Sequence, residues 1–304
     1  MQLLFTEHDE HTPARCAVLL SGTGSNAEAI INYCRKNKCA FSVDVLVTDN
    51  PESRAKELSL EYGIPLIESD IRRFCARRGE ESIKLDSPRR QEIREEWSRE
   101  LYFLLQPYRI ELVLLAGFIP LTSLTNMLPC LNVHPGDLTV TDEQGRRIYA
   151  GLHYRPVEDA FCSGCSFVRS SVILAQPYSG DGKKEMDSGP VIGISEKIFI
   201  DLSPETAETL AEIRRRRIPG KRPEDILRQK AAECIEEMKI RGDHVIFSAA
   251  ADDFARGRFA CDENGGLFFR ENSDFIAVSS VEYTQKGKNL IRNQQIPAGA
   301  EETK

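Results

Sequence analysis

The chain has 304 residues, enough for one large α/β domain or two smaller ones, with a core that needs no metal or disulfide. Apolar residues make up 41% and charged residues 29%, as in soluble globular proteins, and a net charge of −7 argues against broad nucleic-acid binding. No run approaches the roughly 20 apolar residues of a membrane span and no N-terminal stretch reads as a signal peptide, so a cytoplasmic protein with no membrane partner is expected.

Residues 1–14 are polar and unpatterned, which predicts a loose arm. Residues 16–20 form a short apolar run that ends in Ser21-Gly22-Thr23-Gly24-Ser25-Asn26. Residues 27–35 follow with Ile30, Ile31 and Cys34 at helical spacing, so the segment reads as strand, glycine turn and helix. A β-branched strand is predicted at 41–48, a helix at 51–62 and a short strand at 63–67. The charged stretch 70–108 is mostly helical, most clearly at 88–105, where Ile93, Trp97, Leu101 and Leu104 recur at three- and four-residue steps.

Residues 111–117 are nearly all apolar, as in a strand covered on both faces. A strand at 130–133 presents Asn132 and His134 at its end. Then come a helix within 147–161, a strand at 171–175, a polar loop at 176–186, a strand at 191–200 and a helix at 205–214. The chain breaks at 219–223 before an amphipathic helix over 224–240 and a last helix over 243–254. Residues 259–283 alternate around Gly265-Gly266 as a C-terminal hairpin, and the polar tail from 284 is expected to be disordered. This alternation implies an α/β fold with a doubly wound, mostly parallel sheet and a small C-terminal α/β extension. Ligands of such sheets bind beyond the carboxyl ends of the strands, where the glycine turn, Phe118 and the Asn132–His134 pair would gather.

The nine cysteines are scattered and sit mostly beside apolar residues, as reduced thiols do. Cys162 and Cys165 have metal or redox spacing, but no second pair stands nearby, so no metal site is expected.

Three features carry chemistry. Glycine permits positive φ and close backbone approach, and the helix that follows offers free N–H groups, so the turn at Gly22, Gly24, Ser25 and Asn26 suits a phosphate. It also satisfies the loose dinucleotide pattern, with Asp49 in the place of the ribose-binding acid, which leaves a nicotinamide enzyme as a rival. Asn132 and His134 lie two apart on a strand and so face the same side. Asp187, in Asp-Ser-Gly-Pro, is a turn aspartate or the partner of that imidazole. An amide, an imidazole and a carboxylate together can serve acyl transfer to an amine.

In this order the stretches 17–31, 45–65, 112–121, 131–135, 149–161 and 187–192 resemble the folate-dependent formyltransferases, most closely the branch that formylates glycinamide ribonucleotide in purine synthesis. The resemblance implies 10-formyltetrahydrofolate as co-substrate, a phosphorylated amine as acceptor, and a catalytic domain over 15–258 with a helical insertion at 216–242. It implies no nucleic-acid partner, and either a monomer or a homodimer. It places the catalytic trio on Asn132, His134 and Asp187, and the substrate phosphate on Gly22, Gly24, Ser25 and Asn26. The ribose falls on Asp243, and the pterin on Leu115, Phe118, Ile119 and Leu121. Asn132 and a protonated His134 would bond the formyl oxygen while Asp187 orients the ring. Pro120, Ile173 and the segment 136–139 depart from the family pattern. These departures keep two alternatives open, an amino sugar nucleotide as acceptor and an inactive relative that binds folate or phosphate.

Overall fold

The computed structural model describes residues 1–177 and 187–292, so most of the expected 176–186 loop and the last part of the expected tail lie outside the described residues. The first half of the chain alternates as expected. Its elements are β1 (Gln2–Leu3), β2 (Ala14–Leu20), α1 (Ser25–Lys36), β3 (Phe41–Thr48), α2 (Ala55–Tyr62), β4 (Leu66–Glu68), α3 (Ile71–Ala76), α4 (Pro88–Leu105), β5 (Leu112–Leu115) and β6 (Cys130–His134). Helix α4 starts where Ser87 Oγ accepts from Arg90 N (3.3 Å) with Pro88 in the first turn. Its apolar stripe runs at four-residue steps through Ile93, Trp97, Leu101 and Leu105, so Leu105 is buried and the expected Leu104 is exposed.

The second half contains α5 (Arg155–Cys162), β7 (Phe167–Val168), β8 (Ser171–Leu174), β9 (Val191–Ser195), β10 (Ile198–Phe199), α6 (Ala207–Arg215), α7 (Ile226–Met238) and α8 (His244–Ala255). Strands β11 (Phe259–Cys261), β12 (Leu267–Glu271), β13 (Asp274–Ala277), β14 (Ser280–Thr284) and β15 (Gly287–Ile291) follow. Nine strands form the main sheet, in the order β15-β14-β9-β8-β6-β5-β2-β3-β4. Five of its pairings are parallel; β6–β8, β8–β9 and β14–β15 are antiparallel. The chain reverses direction across the sheet between β2 and β5, and there the turns after these strands flank a crevice.

Both faces of the sheet are covered, which explains the unbroken apolar runs. Cys16, Val18 and Leu20 of β2 pack toward Ile30, Phe247 and Phe254, while Ala17 and Leu19 pack toward Ile93 and Trp97. A third core joins α5, α6 and α7 through Phe161, Leu210, Leu227, Ala231 and Met238. The segment expected as a helical insertion is therefore a wall with its own apolar packing. No helix among the described residues is long and apolar enough to cross a membrane.

Two expectations about the ends need correction. The 1–14 arm is not loose: β1 pairs antiparallel with β11, and Phe5 stacks on Phe254 with ring centroids 5.1 Å apart. Leu4 and Phe5 pack against the core, contacts that a count of the arm's polar residues hides. Phe5→Ala is expected to cost about 1–2 kcal/mol by urea unfolding, the aromatic pair and a half-buried ring. The single hairpin expected at 259–283 is instead a meander, β11–β12–β13, followed by β14, which adds to the main sheet beside β9. Nor does the tail begin at 284, because β15 pairs with β14. A buried carboxylate anchors this hairpin: Asp253 accepts from Tyr283 Oη (2.9 Å) and pairs with Arg258 and Lys288.

Candidate active site

Strand β2 ends at Leu20, and the chain turns through Ser21–Gly24 into α1. Gly24 stands at the helix N-terminus with φ +69°. A Cβ there would lie 2.8 Å from Leu58 Cδ1 and 3.0 Å from Leu20 Cδ1, so this position admits only glycine without rearrangement. Arg54 braces the turn: its N–H donates to the Gly22 carbonyl (3.1 Å) and Nη1 to Thr23 O (3.3 Å). Ser21 Oγ donates to Asp49 and accepts from Ile119 N (2.9 Å), which ties the turn after β2 to the loop after β5. Asp49 is buried and burial raises its carboxyl pKa. It is spent on Ser21, which removes the ribose-binding acid that a dinucleotide site needs.

A cavity of about 380 Å³ opens at this edge of the sheet. Gly22, Gly24, Ser25, Asn26, Phe118, Ile119, Asn132, His134, Asp187 and Asp243 all line it. Two residues expected at the pterin pocket do not. Leu115 belongs to the core around Trp97, and Leu121, beyond the buried Pro120, accepts from Arg94 Nη1 (2.7 Å) through its carbonyl. Phe118 stacks on Trp97 (6.0 Å, 8° between planes), so one ring braces the other at the cavity wall.

His134 is 3% exposed, and both ring nitrogens face the protein. Nε2 lies 2.8 Å from the Tyr149 carbonyl, and a carbonyl only accepts, so Nε2 carries a proton. Nδ1 lies 3.3 Å from Asp187 Oδ1. That distance is longer than a tight charge-assisted bond. Nδ1 is therefore the nitrogen that can exchange Asp187 for a reactant. Asp187 itself is fixed on every side. Its Oδ2 accepts from Gly151 N (3.0 Å), its carbonyl and that of Gly189 accept from Arg147, and its φ is +58°.

The departures from the family pattern have a physical basis here. A Cβ at Gly136 would lie 2.5 Å from Tyr149 O and 2.9 Å from His134 Nε2, so glycine there makes room for the carbonyl that holds the ring. Leu138 and Ile173 pack together with Val191 and Ile194 in one small core. Ile173 is also the register partner of Asn132.

Opposite the trio, α7 runs into a π turn (Lys239–Asp243) that brings Lys239 and Asp243 to the cavity. Asp243 Oδ2 accepts from Asn26 Nδ2 (3.2 Å), while Asp243 Oδ1 and Asn26 Oδ1 have no partner among the described residues. Burial raises the Asp243 carboxyl pKa against the opposing pull of Ser170, Asn26 and two histidines. A raised acid pKa means the fold takes up protons. The penalty is absent below the unfolded value, grows as pH rises from the unfolded toward the folded one, and is constant above it. Asp243→Asn should thus raise the melting temperature, by an amount that grows as pH rises out of the ordinary carboxylate range and vanishes below it, as read by calorimetry across pH.

The sequence also hid some of the wall: Gly151–Tyr154, Glu236 and Lys239 line the cavity. Lys239 precedes Asp243 by four residues, but an i+4 pair on a charged helix usually reads as a solvated face.

Residues 14–138 match the formyl transferase family. The chain is 28% identical over 179 residues to phosphoribosylglycinamide formyltransferase of Escherichia coli K12, an overlap of 58% of this chain and 68% of that protein. In fold it is similar to phosphoribosylglycinamide formyltransferase from Coxiella burnetii (TM-score 0.57, 20% identity, 89% of this chain and 99% of that one). It is also similar to a formyltetrahydrofolate deformylase from Pseudomonas syringae (TM-score 0.55, 10% identity, 86% and 67%). The glycine turn, the strand that carries Asn132 and His134, and these likenesses agree: residues 14–138 match the formyl transferase family, and the fold of the chain is similar to that of its solved members.

Proposed function

We propose that this protein transfers a formyl group from 10-formyltetrahydrofolate to the primary amine of a phosphorylated acceptor, glycinamide ribonucleotide, as a cytoplasmic enzyme of purine synthesis. The observation that carries the reading is the meeting of His134 and Asp187 at 3.3 Å on the wall of the cavity that Asn132 and the glycine turn also line. The Gly24–Asn26 turn receives the phosphate at the N-terminus of α1. Asp243, whose Oδ1 lacks a partner, accepts from the ribose hydroxyls. Phe118 and the exposed Ile119 offer an apolar wall for the pterin.

Asn132 donates its amide to the formyl oxygen as the amine adds and negative charge grows there; one such donor is worth about 10²–10³ in rate. His134 keeps its Nε2 proton on Tyr149, so Nδ1 is the working atom. Protonated, Nδ1 donates to the same oxygen; deprotonated, it removes the amine's proton. Asp187, 3.3 Å from Nδ1, holds the orientation of the ring. The proton then leaves with the folate nitrogen as the carbon–nitrogen bond to the donor breaks.

The test is a spectroscopic turnover assay with 10-formyl-dideazafolate. Glycinamide ribonucleotide is expected to support turnover. Turnover with an amino sugar nucleotide alone would replace the acceptor, and no turnover with either amine would contradict the reading.

A further inference from the structure

A second chamber, of about 860 Å³, opens beside the active-site cavity and shares Leu152, His153 and Tyr154 with it. Its other walls come from the turn at 222–225 and the first half of α7. The same face of α7 serves both spaces: Arg228 and Ala232 line the second, and Ile235 and Lys239 line the first, at steps of four, three and four residues. Phe118 and Ile119 line only the first. A molecule that reaches from one space into the other passes along α7 and over Tyr154.

The chamber has a cationic lining whose charges are incompletely matched. Arg222 is exposed and has no hydrogen bond or ion pair with any described residue. Among the described residues the Arg155 guanidinium pairs with Asp159 alone, at 3.5 Å, and its side chain is 68% exposed. Arg228 lies over the Tyr154 ring at 4.2 Å and pairs with Glu158 at 3.2 Å, and its buried Nε has no partner. Of the two acids in the lining, Asp225 is bound to Arg217, which leaves Glu224 at the rim. Glu158 already serves both Arg217 and Arg228, so the network holds Arg228 in place without supplying Arg155 or Arg222.

We propose that this chamber is an anion site that takes an oxyanion-bearing extension of a substrate seated in the first cavity. The shared chemistry is a carboxylate or phosphate oxygen accepting from planar guanidinium donors. It can come from added γ-linked glutamates on the folate or from a second phosphate on the acceptor. The assignment of substrates rests on the function proposed above; the anion site itself does not.

The test compares wild type with the double variant Arg155→Ala/Arg222→Ala, two exposed positions outside the catalytic cavity. In calorimetric titration with inorganic pyrophosphate, the variant is expected to bind about tenfold more weakly or to lose one site, as after loss of a charge-assisted hydrogen bond. Equal affinity and stoichiometry in the two proteins would overturn the proposal. Formyl-transfer kinetics then identify the source. A KM raised about tenfold for pentaglutamyl but not monoglutamyl 10-formyltetrahydrofolate, with kcat unchanged, assigns the folate tail. A KM raised for a diphosphate-linked amine but not for glycinamide ribonucleotide assigns the acceptor. Weakened pyrophosphate binding without formyl transfer to any amine would retain the chamber and reject the functional reading.

Discussion

Asp187→Asn is expected to lower kcat for formyl transfer by about 10²–10⁴ while leaving the melting temperature within about two degrees of wild type. The amide has the shape of the carboxylate, so the Gly151 N–H can still donate to its oxygen. That choice turns the NH₂ group toward His134 Nδ1. The ring then holds Nδ1 as an acceptor, because Nε2 keeps its proton on Tyr149. It can no longer donate to the formyl oxygen. The check is kcat for both proteins at saturating substrates, with thermal denaturation alongside. Wild-type turnover in the variant would remove Asp187 from the mechanism.

Gly189→Ala is expected to destabilise the fold by about 2–4 kcal/mol and to cut activity more than that loss of folded protein explains. Gly189 has φ +104°, and a Cβ there would lie 2.1 Å from the Leu174 carbonyl and 3.1 Å from Gln176 Cγ. Backbone has to move, and the backbone concerned is the segment that carries Asp187. Arg147 holds this segment through the carbonyls of Asp187 and Gly189, so a shift is passed to the carboxylate. Gly79→Ala is the control: its φ of +79° carries the same kind of strain, but nothing lies within 4 Å of its new Cβ. It should cost only about 1 kcal/mol and no activity. Urea unfolding and kcat of the four proteins, wild type, Gly189→Ala, Gly79→Ala and the double variant, separate strain from collision.

Much of the fold was legible because both periodicities are clean. The apolar runs of β2, β3 and β5 are buried on both faces, and the α4 stripe recurs at helical steps. The ends were misread because their contacts are long-range. Phe5 finds Phe254, and Lys288 finds Asp253, across more than the local window in which a pattern is visible. At the site, Asn132 and His134 were readable from strand alternation, and Asp187 only from its neighbours in a resemblance. The Tyr149 carbonyl that fixes the ring was not readable, because a backbone oxygen has no sequence signature. Gly136 was its trace, recorded as a departure from a pattern when it is the space that the carbonyl needs. Leu115 does not line the cavity because strand alternation turns it to the α4 side of the sheet, into the core around Trp97.

The most direct measurement follows the formyl carbon. With 10-formyltetrahydrofolate labelled at the formyl group and glycinamide ribonucleotide present, mass spectrometry is expected to find the label on the amine of the acceptor, and to find that Asp187→Asn slows its appearance. Label recovered as formate at the same rate with and without acceptor would show that water is the nucleophile and would contradict a transferase.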